Sequence, residues 1–210
     1  MEPATGNKQT TYLQPEVLIN TGRSKLWKVD NYSPDFFVKL LQLLQLLLTV
    51  EPEITVMGKI CRQRRNVGFF SDESTGYRYS GQTLPAFPLS SVPFLKSILQ
   101  AVNLSLGTSF NGILVNSYIN GEKYIGAHSD NESGLDKGGR NMVVSIAYGA
   151  VRTFRIRDKE TKKIVLDYPH TPGTLLVMEG DFQKEFTHEI PVQKKVKEER
   201  ISLTFRHHTE

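Results

Sequence analysis

The chain has 210 residues, 39% of them hydrophobic and 23% charged, with a net charge of +4 and a pI near 9.1. That length suffices for one domain with its own core, and the longest apolar run, residues 40–50, is broken by Gln42 and Gln45 and too short to cross a bilayer. Cys61 is the only cysteine, which excludes an intrachain disulfide, and the N-terminus lacks the basic-then-apolar order of a signal peptide. An intracellular protein away from membranes is expected.

Residues 1–14 are polar and aperiodic and read as a disordered tail before a single domain over 15–210. The first strong element is a helix, with Ser33 as cap, Pro34 in the first turn and apolar residues crowding 36–48 before Pro52 ends it. A second helix is expected over 94–104, between Pro93 and Gly107. The intervening stretch, 56–88, carries Arg, Gly and the aromatics Phe69, Phe70, Tyr77, Tyr79 and Phe87 without one period, and reads as a long functional loop. Phe69 and Phe70 are taken as core. Short β-branched or alternating segments follow at 112–119, 141–148, 152–157, 163–168, 174–178 and 200–206, separated by turn residues. Two helices followed by many short strands give an α+β fold, a double-stranded β-helix (jelly roll) buttressed by N-terminal helices.

The chemistry is carried by few residues. His128 and Asp130 stand at i and i+2 of an extended segment, so both side chains share a face, and His188 follows later. Two imidazoles and one carboxylate fill one face of an octahedron and leave positions open for a co-substrate and O2, the set that suits iron(II). Of the other histidines, His170 reads as a turn residue, and His207 and His208 as a solvated tail. A His-x-Asp pair recurs by chance, and the last strand adds the specificity. There Ile201, Leu203 and Phe205 alternate with Arg200, Ser202, Thr204 and Arg206. With the apolar set facing the helices, the two arginines point inward from Cα atoms about 20 Å apart. A short dicarboxylate fits between their guanidinium groups.

Asn116-Ser-Tyr118, His128-Ser-Asp130, His188 and Arg200 with Arg206 occur in an order and spacing that resembles the AlkB family of iron(II)- and 2-oxoglutarate-dependent nucleic-acid dealkylases. The resemblance runs from about residue 56 to 206 and looks closest to the eukaryotic-type branch that repairs duplex DNA. It implies that His128, Asp130 and His188 hold Fe(2+), and that Asn116, Tyr118, Arg200, Ser202 and Arg206 bind 2-oxoglutarate, Arg200 at the distal carboxylate and Arg206 near the metal. The family often has Asn where this chain has Ser202, which implies weaker co-substrate binding.

The resemblance further implies a nucleotide-recognition lid over about 56–88. Val56, Met57 and Gly58 stand where that branch has a finger entering the base stack, with Met57 as the wedge; on the residues alone, a plain hairpin edge fits equally. Tyr79 would stack on a flipped base opposite His128, Tyr77 and Glu132 would contact its edge, and Arg65 and Arg152 would touch phosphate or groove. The implied reaction consumes O2 and 2-oxoglutarate and removes the methyl group of N1-methyladenine or N3-methylcytosine as formaldehyde. Three basic clusters (Arg62, Arg64 and Arg65; Arg152, Arg155 and Arg157; Lys194, Lys195 and Lys197) accord with a polyanion partner. A monomer acting on DNA is expected, nuclear if eukaryotic and cytoplasmic otherwise. The alternatives are an oxygenase acting on RNA or on a protein side chain, and a non-catalytic nucleic-acid-binding jelly roll.

Overall fold

The computed structural model describes residues 14–130 and 141–208. The expected tail falls in the remainder except for Gln14, and Glu132 also lies outside the described residues. The described chain opens on a hairpin, β1 (Glu16–Asn20) and β2 (Ser24–Val29), ahead of helix α1 (Phe37–Leu44). Strands β3 (Glu53–Val56), β4 (Lys59–Arg62), β5 (Asn66–Ser71), β6 (Gly76–Tyr79) and β7 (Gln82–Phe87) lead to helix α2 (Pro93–Leu106). The second half runs β8 (Gly112–Tyr118), β9 (Ile125–His128), β10 (Val143–Gly149), β11 (Arg152–Asp158), β12 (Ile164–His170) and β13 (Leu175–Gly180). A helical turn α3 (Phe182–Glu185), β14 (Phe186–Ile190) and β15 (Arg200–Arg206) complete it. Among the described residues no helix is long and apolar enough to cross a membrane.

Nine strands form one sheet in the order β1-β2-β13-β10-β15-β8-β5-β7-β6, and four form a second in the order β12-β11-β14-β9. Successive strands of the second half alternate between the two sheets for most of their length, an arrangement consistent with a double-stranded β-helix. Period-two alternation sorts the side chains. Ile201, Leu203 and Phe205 of β15 join Val144, Ile146, Leu175 and Val177 in a core with Leu40, Leu44, Leu95 and Leu99 of the helices. Each such fully buried side chain contributes about 1.5–3 kcal/mol. The opposite face of the same strands looks toward the smaller sheet, whose Phe154, Ile156 and Ile190 pack with Leu176 and Met178. Polar residues on that inner face therefore have nowhere to go but a shared pocket.

The structure corrects the sequence reading at several points. Two strands precede the first helix, and residues 56–88 are not a loop but largely paired strands. Helix α1 begins three residues after Pro34; the Asp35 carboxylate accepts from the Phe37 N–H, while the Ser33 hydroxyl bonds Tyr148 Oη at 2.9 Å. The helix stops at Leu44 because Thr49 exchanges two backbone bonds with Val67, at 2.8 and 3.0 Å, which a continued helix would forbid. Helix α2 keeps its expected ends, with Pro93 in the first turn and Gly107 closing it at φ 63°. Phe69 and Phe70 are fully buried, as expected.

Candidate metal and co-substrate site

The smaller sheet brings two histidines together, since His128 of β9 is the register partner of His188 of β14. Their rings lie 4.3 Å apart, and Asp130 follows two residues after His128. His128 Nε2 is 3.7 Å from Asp130 Oδ1, His188 Nε2 is 3.6 Å from Oδ2, and one ligand atom from each residue lies within 4.8 Å of the others. His128 Nδ1 is 2.9 Å from the Gly126 carbonyl, which can only accept; Nδ1 thus carries the proton and the Nε2 lone pair faces inward. His188 stacks on Phe154 at 5.2 Å. Burial holds both imidazoles down at about 3, with His188 adding to the effect on His128 and Arg206 to that on His188. Neutral imidazoles are the form a metal needs. Among the described residues neither Asp130 oxygen accepts a hydrogen bond of good geometry, although Arg206 Nη2 forms an ion pair with Oδ1 at 2.7 Å. Neutral nitrogens and a buried carboxylate converging on one point fit a divalent metal.

Strand β15 supplies the rest of the pocket. Its register against β8 sets Ser202 opposite Asn116 and Arg200 opposite Tyr118. All four, with Thr204, Arg206 and the three candidate ligands, line one pocket of about 450 Å³, part of it open to solvent. Arg206 lies at the metal end, and its Nη1 donates to Tyr77 Oη at 3.1 Å. Arg200 stands six residues along the strand, 1% exposed, with its guanidinium 5.5 Å from the Tyr118 ring. Burial lowers it to about 10, so it stays charged at neutral pH. Asn116 Oδ1 is buried without a hydrogen bond among the described residues, as is Arg200 Nε. Two cations and unsatisfied polar atoms lining one pocket fit a dicarboxylate.

Several residues are placed differently from expectation. Arg152 is no surface cation. It is fully buried, donating to the carbonyls of Asn120, Lys123 and Pro191 at 3.0, 2.9 and 2.7 Å and to Gln193 Oε1 at 3.1 Å. Arg155 and Arg157 are paired with Asp167 and Glu189, so their two charges are neutralised locally. Arg65 is 4% exposed and lies against the Tyr79 ring at 5.5 Å, part of the pocket wall rather than an open groove. Tyr77 is buried against Phe69 and Tyr79 and bonded to Arg206, which ties it to the co-substrate side. Tyr79 stands edge-on to His128 at 6.4 Å. Gln183 escaped the sequence reading; its Oε1 accepts from the Asp130 N–H at 2.9 Å and fixes that ligand's backbone. No pattern in the chain marks it, because a single glutamine in a helical turn carries no periodic signal.

His170 and His208 are neither turn nor tail residues but buried, at 0% and 8% exposure. His207 keeps partial exposure, its ring on the Ser109 carbonyl. Burial holds His170 at about 3 and His208 at about 4, against an ordinary 6.5, with Arg200 and Arg206 respectively adding to the shift. The unfolded chain therefore takes up protons first. Stability present above the ordinary value is lost as pH falls toward the folded values, by about 1.4 kcal/mol per pH unit for each such imidazole. Urea unfolding of the metal-free protein should show this decline below about pH 6.5, and His208→Asn should flatten it by about one proton's worth.

The fold and the converging triad define a non-haem iron oxygenase scaffold, and the chain belongs to the 2OG-Fe(II) oxygenase superfamily, whose profile matches residues 36–206. Among curated proteins it is 33% identical over 160 residues to the human DNA oxidative demethylase ALKBH2, covering 73% of this chain and 60% of that one. It is 34% identical over 142 residues to the human alpha-ketoglutarate-dependent dioxygenase alkB homolog 3, covering 62% and 47%. The chain thus spans about half to two thirds of the length of these relatives. Among solved structures, OsALKBH1 superposes with TM-score 0.56 at 18% identity, over 87% of this chain and 97% of that one. A prolyl hydroxylase from Trichoplax adhaerens, solved with a hypoxia inducible factor peptide fragment, gives 0.57 at 12% over 88% and 83%. Both share the fold.

Proposed function

We propose that this protein is an Fe(II)- and 2-oxoglutarate-dependent dioxygenase that removes methyl groups from N-alkylated bases, N1-methyladenine and N3-methylcytosine, in duplex DNA. The observation that carries it is one pocket lined by His128, Asp130, His188, Arg200 and Arg206, with Tyr79 edge-on to His128 beside it. Held by His128, Asp130 and His188, iron(II) would supply the oxidising chemistry by which O2 and 2-oxoglutarate give succinate and CO2 and the methyl group is lost as formaldehyde.

The protein's part is binding and orientation. Arg200 neutralises the distal carboxylate while Asn116, Tyr118 and Ser202 line its path; Arg206 serves the end beside the metal. His128 has a second role as one wall of the base pocket and Tyr79 as the other, the Tyr79 ring turning from its edge-on position at 6.4 Å to admit a stacked base between them. Glu132 supplies the carboxylate that a cationic methylated base calls for.

Within 56–88, the hairpin tip at Met57 and strands β6 and β7 act as the nucleotide-recognition lid, while β5 belongs to the core of the larger sheet. Two features support a wedge at the hairpin tip. Met57 is 97% exposed at the turn between β3 and β4, and it holds φ 49° beside Gly58 at φ 76°. Such a two-residue turn favours Asn-Gly, and a left-handed conformation costs a side chain about 1–2 kcal/mol. With Val56 and Ile60 beside it 43% and 73% exposed, Met57 tops an apolar patch of the kind that meets a partner.

Incubation with iron(II), 2-oxoglutarate and methylated DNA and RNA, single-stranded and duplex, tests the reading by mass spectrometry. Loss of the mark with succinate formation is expected. Succinate formed without loss of any nucleic-acid mark would overturn the base assignment. Met57→Ser should lower activity on duplex DNA roughly tenfold, the scale of about 1.4 kcal/mol from a wedge, and leave single strands nearly unaffected; equal losses on both would count against the wedge.

A further inference from the structure

The buried ring of His170 has no part in the function proposed above. It belongs to β12 of the smaller sheet, yet it reaches the arginine of the larger one. His170 Nε2 lies 3.0 Å from the Thr174 carbonyl, which can only accept, so Nε2 carries the proton. His170 Nδ1 is then an unprotonated acceptor, and Arg200 Nη2, which can only donate, lies 3.4 Å from it. Both contacts are satisfied by one neutral tautomer, and the burial that holds the imidazole at about 3 keeps it neutral at every working pH.

The rest of the surroundings fix the ring. Phe154 stands edge-on to it at 6.1 Å and Tyr168 lies at 6.1 Å. The Thr174 hydroxyl is bonded to Thr171 at 2.8 Å and to Asp30 at 3.2 Å. The Arg200 guanidinium, by contrast, has the flat face of Tyr118 at 5.5 Å and, among the described residues, no carboxylate in an ion pair with it. A carboxylate partner there would compete with a bound anion; a neutral acceptor orients the guanidinium and leaves its charge uncancelled.

We propose that His170 is a positioning residue for the co-substrate: through Nδ1 it sets the orientation of Arg200 and so the depth at which the pocket takes the far carboxylate of a five-carbon dicarboxylate. This rests on the functional reading above. It predicts selectivity for length, because an arginine held from behind cannot retreat to admit one more methylene.

Calorimetric titration of the Zn(II)-loaded protein with 2-oxoglutarate and with the longer 2-oxoadipate provides the test. His170→Asn keeps an acceptor near the Nδ1 position, whereas His170→Gln keeps a donor near Nε2 and loses the acceptor. The Gln variant should bind 2-oxoglutarate about tenfold more weakly and discriminate less against 2-oxoadipate. The Asn variant should stay within about threefold of wild type, and Zn(II) affinity should be unchanged in both. A Gln variant equal to wild type, or an Asn variant as impaired as Gln, overturns the assignment. In the wild type, nitrogen resonances of His170 should report the Nε2–H tautomer and move at Nδ1 when 2-oxoglutarate is added; an unmoved Nδ1 overturns the assignment without any variant. A wild type that binds no 2-oxoglutarate at all overturns the oxygenase reading itself and this inference with it.

Discussion

Asp130→Ala should abolish 2-oxoglutarate turnover, a loss of more than about a hundredfold, the upper range for residues that merely support a metal ligand. The carboxylate is 4% exposed and, among the described residues, is the one anionic group that both imidazoles approach within 3.7 Å. It also faces Arg206 at 2.7 Å, so its removal leaves a pocket with excess positive charge where a cation must bind. Two measurements separate this from general damage. Succinate formation should vanish with and without a methylated substrate. Added divalent metal should raise the unfolding temperature of the wild type, by the equivalent of about 2.7 kcal/mol at a hundredfold excess over Kd, but not that of the variant. Unchanged turnover would remove His128, Asp130 and His188 as the metal site.

Arg152→Ala should destabilise the fold by about 3 kcal/mol or more, since it strips a fully buried charged donor from three partly buried carbonyls and a glutamine side chain. Those acceptors belong to two loops, 119–124 and 191–199, that the guanidinium gathers. The loops approach so closely that a Cβ on Gly121 would lie 1.9 Å from the Gln193 carbonyl oxygen. Arg152→Lys should not restore stability, because one ammonium cannot span the forked set of acceptors. Urea unfolding reads the effect. If Arg152 contacted phosphate instead, stability would be nearly unchanged and the salt dependence of DNA binding would fall by about one ion; the buried geometry predicts the reverse.

Much of the site was legible because its rules are local. The period of two in β15 assigns Ile201, Leu203 and Phe205 to one face and Arg200, Ser202, Thr204 and Arg206 to the other, and the structure keeps both faces. The same rule puts His128 and Asp130 within reach of one point. Helix α2 was legible from its ends, since Pro93 and Gly107 each have a backbone reason to stand there. The stretch 56–88 was not. Its strands pair with distant partners, β5 with β8 and β7 with β5, and that pairing is the source of their order. Charge was also a poor guide to exposure: Arg65, Arg152, Arg200 and Arg206 are all buried, because each finds acceptors or aromatic faces in other parts of the chain.

By itself, then, the sequence determined the chemistry at stake: the residue types of a metal triad, a strand with two inward cations, and the alternation that separates pocket from core. Tertiary structure alone decided which polar residues serve that pocket and which serve the fold. His128 meets His188 only through the pairing of β9 with β14, Gln183 reaches Asp130 from a turn far along the chain, and His170 meets Arg200 only because two sheets face each other. The physical reason is common to all three. Side-chain direction follows from local backbone geometry, but a hydrogen-bond partner at long sequence separation is fixed only when the sheets pack.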